Sequence, residues 1–375
     1  MVNRVGRNMN NDTLELKFAD GRLCRVRIAN NWLGSSEETP LPLSNLSGIP
    51  RNCLVVCDRH TEPPADILAR RLAETGHGVH RFCLPPGEST KSADWLGRLW
   101  EALAESGFDR TSGLIAVGGG VVGDLAGFAA ATFMRGIPWY VVPTTLVAQV
   151  DSAIGGKVGI NLPAGKNLAG AFWQPTEVWI DPQLLSTLPE REYLSGLAEV
   201  IKYGVIADAD LFSLLEGNSA KLRSRDPEIL REVILRCCQI KAEVVTADER
   251  ETKGLRAKLN YGHTFGHAIE KVAGYGEFLH GEAVAIGMVW AARAAEQLGF
   301  VNEAFSARQK HLLQQCGLPT AWTAAPSAKI LDAMKFDKKR QGGLPRLILP
   351  REVGRVESQD WPGDNLVLSA IEAAS

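Results

Sequence analysis

Leu114-Ile-Ala-Val117 runs directly into Gly118-Gly-Gly-Val-Val-Gly123-Asp124, and this stretch decides the fold class. Four apolar residues followed at once by glycines are typical of a buried strand that turns sharply into a helix. The run satisfies the G-x-G-x-x-G pattern, whose backbone N–H groups can hold a pyrophosphate at a helix N-terminus. Glycine clusters also make tight turns without any ligand. The motif alone therefore predicts a strand–turn–helix unit that leaves room for a nucleotide.

Similar units lie on both sides of the glycine run. Short apolar runs at residues 53–57, 79–83 and 139–142 alternate with helical stretches. This alternation predicts a parallel α/β sheet with helices on both faces. The usual nucleotide fingerprint expects an acidic residue at the end of the next strand, and residues 139–145 contain none. Asp58 ends an earlier strand, so the sequence indicates a nucleotide site of a non-standard kind in which Asp58 can hold a ribose hydroxyl.

The second half of the chain has a different pattern. Long helical patterns cover residues 190–206, 209–218, 227–247, 262–273 and 281–299. A length of 375 residues suggests about two domains. We therefore predict an α/β domain over residues 1–186 and a mostly α-helical domain over residues 187–375, with residues 1–20 as a weakly ordered leader.

The composition excludes several classes of protein. The chain is 45% hydrophobic and 22% charged, with a formal net charge of −2, which gives no reason to expect a nucleic-acid or membrane partner. The first twenty residues contain no apolar segment of the kind found in secretion signals. Seven cysteines without a Cys-x-x-Cys pair argue against a disulfide framework and favour a reducing, cytoplasmic location. Cys237 and Cys238 would point about 100° apart on a helix, so we interpret both as packing residues.

A second cluster is basic and glycine-rich. Asp151-Ser-Ala-Ile-Gly-Gly-Lys157 is followed by Gly165-Lys166-Asn167, in a stretch that we expect to be rich in loops. One such lysine is usually a solvated surface residue. Two lysines and an asparagine together, with Arg135 and Lys91 nearby in the order of motifs, favour a site for a phosphate or carboxylate.

The histidines suggest a metal site. Asn260-Tyr-Gly-His263-Thr-Phe-Gly-His267 is followed by His280-Gly-Glu282. His263 and His267 are four residues apart and share one helix face, so spacing alone pairs these two as ligands. Two imidazoles, a carboxylate and an open position form a common catalytic zinc set, although interior histidines held by hydrogen bonds would give the same pattern. Glu199, within an apolar helical stretch, is either surface-facing or committed to a partner.

Together these motifs resemble the 3-dehydroquinate synthase family of sugar phosphate cyclases. The resemblance runs from Gly87-Glu-Ser-Thr-Lys91 to Asp337-Lys-Lys339 with nearly the whole order of motifs intact. It implies a Rossmann-like N-terminal NAD-binding α/β domain and a mostly helical C-terminal metal-binding domain. It also implies Glu199, His263 and His280 as ligands of Zn²⁺, for which Co²⁺ is a possible substitute. In this pattern His267 faces the substrate instead.

The resemblance implies two further groups of site residues. Those lining NAD⁺ would be Asp58, Glu88, Lys91, Gly119, Gly120, Val121, Asp124, Thr144, Thr145, Lys157, Lys166, Thr187 and Leu188. Those around the phosphorylated sugar acid would be Arg135, Asp151, Lys157, Lys166, Asn167, Lys241, Arg256, Asn260, His267 and one of Lys338 or Lys339. A homodimer is the usual assembly of the family.

The implied reaction converts 3-deoxy-D-arabino-heptulosonate 7-phosphate to 3-dehydroquinate and phosphate in the shikimate pathway. Two enzyme alternatives stay open: a sister cyclase such as 2-deoxy-scyllo-inosose synthase, and a metal-dependent polyol dehydrogenase that releases NADH. A non-enzymatic nucleotide-binding or scaffolding protein is a third reading, and it predicts no metal. Arg256, Asn260 and His267 favour the dehydroquinate assignment because they suit a substrate that carries a carboxylate.

Overall fold

The chain forms two compact units in this computed structural model, which describes residues 2–8, 11–33, 48–274, 276–339 and 345–373. The first unit comprises Met1–Leu188 and Lys241–Arg250, and the second comprises Pro189–Ile240 and Glu251–Ser375. The first boundary lies close to the one predicted at Thr187. The return of residues 241–250 to the first unit has no counterpart in the sequence prediction.

An eight-stranded sheet forms the centre of the first unit. Its strands are β1 (Val2–Asn8), β2 (Asn11–Lys17), β3 (Leu23–Ala29), β4 (Asn52–Asp58), β5 (Gly78–Leu84), β6 (Gly113–Gly118), β7 (Trp139–Pro143) and β10 (Glu177–Ile180). They are arranged in the order β1-β2-β3-β10-β7-β6-β4-β5. From β3 to β5 every neighbouring pair is parallel. The parallel sheet predicted from the short apolar runs is therefore confirmed.

Three helices belong to this sheet: α1 (Glu62–Glu74), α2 (Ala93–Glu105) and α3 (Gly120–Thr132). Strands β4 and β6 are buried almost throughout, which is what strands covered on both faces require. Val55, Val117 and Trp179 are fully buried in one hydrophobic cluster with Leu68 and Leu72 of α1.

Two stretches of this unit contain strands that were not predicted. The segment predicted to be a weakly ordered leader contains β1 and β2, and β2 pairs antiparallel with β3. Leu14 and Leu16 are fully buried at alternate positions, a period-two signal that marks a strand. The stretch expected to be rich in loops contains an antiparallel hairpin of β8 (Lys157–Leu162) and β9 (Gly165–Phe172).

The second unit is mostly helical, as predicted. Its helices are α4 (Glu190–Ala207), α5 (Ala209–Gly217), α6 (Ser219–Arg223), α7 (Pro227–Ala247, whose last residues belong to the first unit), α8 (His263–Ala273), α9 (His280–Gln297), α10 (Glu303–Gln315), α11 (Ser327–Lys339) and α12 (Asp364–Glu372). A hairpin of β11 (Leu347–Glu352) and β12 (Arg355–Gln359) was not predicted. Cys237 and Cys238 are fully buried in α7, in agreement with packing roles.

Glycines set how closely α4, α8 and α9 approach. A Cβ atom on Gly287 of α9 would lie 2.1 Å from the carbonyl oxygen of Gly262, and one on Gly281 would lie 1.8 Å from that of Ser195 in α4. No side chain fits at either contact, so these helices pack backbone against backbone. The first residues of α8 and α9 are thereby held near the middle of α4.

No helix in the described part of the chain combines the length and apolarity needed to cross a membrane.

Candidate active site

The glycine run opens α3 directly after β6. Gly118 ends β6 and Gly119 is the N-cap residue of α3. An added Cβ on Gly118 would lie 2.6 Å from Val122, and one on Gly119 would lie 3.0 Å from Thr145. A side chain at Gly118 would overlap Val122, and one at Gly119 would require Thr145 to shift, so the two glycines allow β6 and α3 to approach closely. The first turn of α3 leaves backbone N–H groups without helical acceptors, the usual setting for a bound phosphate.

Three of the predicted NAD residues lie at or just after the ends of neighbouring parallel strands. Asp58 ends β4, Gly119 follows β6 and Thr144 follows β7, and these strands are adjacent in the sheet. The hydroxyl of Thr61 donates to the carbonyl of Val117 at 2.9 Å and ties the Asp58 turn to the end of β6. Ligands of open α/β sheets bind at this carboxyl edge.

Asp58 and the threonines also have local roles. The carboxylate of Asp58 accepts from the backbone N–H groups of His60 and Thr61 at 2.9 and 3.1 Å. The backbone N–H of Thr144 donates to Gly118 at 3.0 Å, and the hydroxyl of Thr145 accepts from Ala148. Thr187 and Leu188 lie at the end of a 3₁₀ helix (Pro182–Thr187) that follows β10.

Lys91 joins predicted NAD residues to a predicted substrate residue. Its side chain is 5% exposed, and its ammonium contacts the carboxylate of Asp124 and the side-chain oxygen of Asn167. Burial raises the pKa of Asp124 even though Lys91 opposes that shift. Glu88 accepts from the side chain of Asn161 at 2.7 Å, on the same hairpin as Asn167.

The basic cluster is partly assembled within the first unit. Lys241 donates to the carboxylate of Asp151 at 2.6 Å, and its side chain is 8% exposed. Lys157 begins β8 and Lys166 lies on β9, and both side chains are exposed. Arg135 is exposed in a turn where it and Met134 adopt left-handed φ angles of 66° and 51°. Two consecutive non-glycine residues in that region are a strained arrangement of the kind found at functional sites.

Glu199, His263 and His280 lie together in the second unit. Nε2 of His263 and Nε2 of His280 are 3.7 and 3.5 Å from Oε1 of Glu199. Glu199 is 1% exposed in the middle of α4, and each histidine is the first residue of its helix. The three ligand atoms lie within 4.8 Å of one another.

Helix ends hold the two histidines in place. Nδ1 of His263 donates to the carbonyl oxygen of Tyr261 at 3.0 Å. Beside His280, the backbone N–H of Gly281 donates to the hydroxyl of Ser195 at 3.0 Å. Glu282 accepts from the backbone N–H of Leu279 at 2.8 Å and from Arg191 at 2.7 Å, which fixes the start of α9.

The two histidines differ in their electrostatics. Burial lowers the pKa of His263 to about 3, with help from the charge of Lys202. Burial also acts to lower the pKa of His280, but the carboxylates of Glu199 and Glu270 outweigh it and raise the pKa to about 10. His263 is therefore neutral at neutral pH, the form in which an imidazole binds a metal.

Two of the predicted substrate residues of the second unit lie on a 3₁₀ helix (Leu255–Asn260). These are Arg256 and Asn260, and Arg256 is 3% exposed with Nε 3.4 Å from Glu251.

His267 is exposed, one turn after His263, and the centroids of the two rings are 5.5 Å apart. It falls in a second possible ligand group with Glu270 and His280 instead of joining Glu199. The pairing of His263 with His267 by spacing alone thus differs from the geometry. Lys338 and Lys339 end α11, and their side chains lie outside the described residues.

Two residues escaped the sequence prediction. Lys202 is 1% exposed, and its ammonium contacts the carboxylate of Glu199. Oε2 of Glu270 lies 3.6 Å from Nδ1 of His280. The signal for Lys202 was its position three residues after Glu199 in an otherwise apolar run, since a buried lysine needs a carboxylate partner.

Family models and curated relatives both match this chain to 3-dehydroquinate synthases. The family models described as 3-dehydroquinate synthase N-terminal and C-terminal match residues 81–195 and 196–340. A 3-dehydroquinate synthase from Rhodopirellula baltica is 47% identical over 344 residues, which are 90% of this chain and 92% of the relative.

Many solved structures share the fold, among them two synthases. A 2-epi-5-epi-valiolone synthase from Streptomyces hygroscopicus subsp. jinggangensis with NAD⁺ and Zn²⁺ bound is 28% identical, with a TM-score of 0.84, and the match covers 93% of this chain and 96% of that one. A 2-deoxy-scyllo-inosose synthase complexed with carbaglucose-6-phosphate, NAD⁺ and Co²⁺ is 28% identical, with a TM-score of 0.82, over 97% and 100% of the two chains. The sequence matches in both halves, with a relative nearly half identical over almost the whole length, place this chain in the 3-dehydroquinate synthase family.

Proposed function

We propose that this chain is a 3-dehydroquinate synthase that converts 3-deoxy-D-arabino-heptulosonate 7-phosphate to 3-dehydroquinate and inorganic phosphate, with NAD⁺ and a divalent metal. The observation that carries the proposal is the cluster of His263 and His280 around the buried carboxylate of Glu199 in a member of this family. Such a donor set suits a Lewis acid, whereas a non-enzymatic nucleotide-binding protein has no use for one.

The cluster fits zinc by its geometry and by its chemistry. Tetrahedral bonds of about 2.0–2.1 Å place ligand atoms roughly 3.4 Å apart. The nitrogens of His263 and His280 lie 3.7 and 3.5 Å from Oε1 of Glu199, so small adjustments would complete the set. When bound, the metal would polarise hydroxyl groups of the substrate. Co²⁺, which the 2-deoxy-scyllo-inosose synthase structure contains, would bind to the same ligands.

The carboxyl edge of the first sheet supports NAD⁺ binding. The turn at Gly119 and Gly120 offers backbone donors to a pyrophosphate, and Asp58 offers a carboxylate to a ribose hydroxyl. The bound cofactor would accept a hydride from the substrate and return it, so the protein contributes mainly position and charge. The full proposed set is Asp58, Glu88, Lys91, Gly119, Gly120, Val121, Asp124, Thr144, Thr145, Lys157, Lys166, Thr187 and Leu188.

The charged residues suit a substrate that is anionic at two places. Lys241 beside Asp151 presents an ammonium that is oriented by its carboxylate partner. Arg256, almost fully buried, offers a planar guanidinium of the kind that binds a carboxylate in bidentate fashion. The proposed substrate set is Arg135, Asp151, Lys157, Lys166, Asn167, Lys241, Arg256, Asn260, His267 and one of Lys338 or Lys339.

Phosphate release provides the test. Purified protein is incubated with the heptulosonate phosphate, with and without NAD⁺ and a chelator, and inorganic phosphate and NADH are both followed. We expect phosphate release that requires a catalytic amount of NAD⁺, stops with chelator, returns with Zn²⁺, and leaves no NADH behind. Accumulation of NADH in proportion to turnover of a polyol would instead identify a dehydrogenase.

A sister cyclase is the second candidate, because the two similar solved structures are of a 2-epi-5-epi-valiolone synthase and a 2-deoxy-scyllo-inosose synthase. Glucose 6-phosphate in the same assay distinguishes the two: phosphate release from this sugar, and none from the heptulosonate phosphate, would favour an inosose synthase. The family resemblance further supports a cytoplasmic homodimer in the shikimate pathway. Analytical ultracentrifugation tests the dimer directly.

A further inference from the structure

Glu270 lies behind His280, on the side of the ring that faces away from Glu199. Its Oε2 is 3.6 Å from Nδ1 of His280, while Nε2 of the same ring is 3.5 Å from Oε1 of Glu199. The side chain of Glu270 is 11% exposed, on the third turn of α8. One imidazole thus lies between two carboxylates, and each carboxylate faces a different ring nitrogen.

The other histidine of the cluster is held in an analogous way. Nδ1 of His263 donates to the backbone carbonyl of Tyr261 at 3.0 Å, which leaves Nε2 directed towards Glu199. Metal-binding histidines nearly always have an acceptor on the nitrogen that does not bind the metal, because it fixes the tautomer and the orientation of the ring. His263 has a backbone acceptor, and Glu270 is placed to be the acceptor for His280.

His280 needs such a partner more than His263 does. Its side chain is 37% exposed, against 13% for His263, so packing restrains its ring less. The present separation of 3.6 Å is longer than a hydrogen bond, and a small rotation of either side chain would shorten it to about 2.8 Å.

The alternative role for Glu270 is that of a metal ligand. His267, Glu270 and His280 also have ligand atoms within 4.8 Å of one another, which would suit a metal bound through Nδ1 of His280. A metal there would leave Glu199 and the buried His263 out of the set. Two metals sharing His280 would require the imidazole to lose both protons, which is unfavourable at neutral pH. With one metal bound by Glu199, His263 and Nε2 of His280, and with Glu270 accepting from Nδ1 of His280, each of these four side chains has a partner.

We propose that Glu270 is a positioning residue for the metal site: it accepts a hydrogen bond from Nδ1 of His280 and so turns Nε2 of that ring towards the metal held with Glu199 and His263. This inference rests on the proposed function, because it presupposes a metal on those three ligands. Loss of such a partner typically weakens metal binding by about 10–100-fold.

The test is direct binding of Co²⁺ to chelator-treated protein, which does not depend on turnover. Wild type, Glu270→Ala, Glu270→Gln and the control Glu303→Gln, an exposed glutamate at the start of α10, are titrated with Co²⁺ while the visible d–d absorption is recorded. We expect one Co²⁺ per chain throughout and a dissociation constant about 10–100-fold higher for Glu270→Ala. Glu270→Gln should recover much of the affinity, since an amide oxygen still accepts from Nδ1.

Each other outcome has a definite meaning. A Glu270→Ala protein with the wild-type dissociation constant and spectrum would overturn the positioning role. A second Co²⁺ in wild type that Glu270→Ala loses would identify Glu270 as a ligand and would overturn it as well. If wild type itself bound no Co²⁺, the metal site of the proposed function would fail together with this inference. Thermal unfolding of the metal-free proteins checks that each variant is folded at the temperature of the titration, so that a change in affinity cannot be attributed to misfolding.

Discussion

Nδ1 of His263 lies 3.0 Å from the carbonyl oxygen of Tyr261, and this contact turns Nε2 of the ring to within 3.7 Å of Oε1 of Glu199. Gly262 makes it possible, because its left-handed φ of 78° brings the chain back over itself at the start of α8. His263 is therefore oriented by the backbone before α8 and not by His267, its neighbour one turn later. This relationship separates two histidines that look equivalent in the sequence.

His263→Ala and His267→Ala should have different effects on metal content. We expect His263→Ala to lose bound zinc after dialysis against a weak chelator, and to lose about 10³-fold in turnover, because a Lewis acid supplies several kcal/mol of transition-state stabilisation. His267→Ala should keep its zinc and still turn over slowly. Atomic absorption and phosphate release measure both quantities. Zinc retained by His263→Ala but lost by His267→Ala would contradict the proposed ligand set.

The sequence predicted the parallel part of the first unit well, because buried strands such as β4 and β6 are short apolar runs between helices. It missed β2 and β3, where buried residues mostly alternate with more exposed ones and the apolar signal is less dense. The hairpin of β8 and β9 was also missed. Its many glycines indicated loops, yet Gly159 and Gly170 face each other across the hairpin, where a Cβ on either would lie 2.2–2.5 Å from the opposite backbone.

The site was less predictable than the fold. Spacing identifies residues on one helix face, and so it paired His263 with His267. The cluster in the structure takes one residue from each of α4, α8 and α9, and no local pattern reports which helix ends meet. Resemblance to the family supplied Glu199 and His280. Neither route supplied Lys202, which contacts Glu199 three residues away on α4. Neither supplied Glu270, whose contact with His280 exists only once α8 and α9 have packed.

Gly281→Ala should destabilise the second unit strongly. The added Cβ would lie 1.8 Å from the carbonyl oxygen of Ser195, so α4 and α9 would have to separate at the point that carries His280. We expect a loss of about 3 kcal/mol or more, since overpacking against backbone cannot be relieved by a rotamer change. Thermal unfolding and zinc content are the measurements. Gly97→Ala in α2, where nothing lies within 4 Å of the new Cβ, is the control and should gain up to about 1 kcal/mol. An equally stable, zinc-loaded Gly281→Ala protein would show that the helices do not pack as described.

Gly123→Ala should separate NAD⁺ binding from stability. Gly123 lines a cleft with Gly119, Gly120 and Asp124, and an added Cβ there meets nothing within 4 Å. The folded protein should therefore gain up to about 1 kcal/mol from the better helix former. The methyl group would nevertheless occupy space proposed for the cofactor, and we expect the dissociation constant for NAD⁺ to rise at least about tenfold, or 1.4 kcal/mol. Calorimetric titration with NAD⁺ gives the constant, with Gly97→Ala as the control for stabilisation. Unchanged NAD⁺ affinity would place the cofactor elsewhere.

Glu177→Gln should change how stability depends on pH. Glu177 is 9% exposed and accepts from Nε of Arg27 at 2.8 Å and from the indole of Trp179 at 2.9 Å. Burial acts to raise its pKa, but these partners outweigh burial and hold the pKa below its usual value of 4.5. The pKa is lower in the folded than in the unfolded state, so Glu177 stabilises the fold above pH 4.5 and this contribution is lost as the pH falls through the folded value.

In urea unfolding at pH 7 the Glu177→Gln variant should be about 1.5–3 kcal/mol less stable than wild type, the usual contribution of hydrogen bonds to a charged group. Between pH 7 and pH 5 this difference should stay constant. Below the usual carboxyl pKa it should shrink, because wild-type Glu177 takes up the proton that makes it resemble glutamine. Glu357→Gln, at an exposed carboxylate with arginine partners, is the control and should leave the profile nearly unchanged because solvent screens that pair. A difference between Glu177→Gln and wild type that persists undiminished at low pH would mean that the side chain's shape, and not its charge, stabilises the sheet.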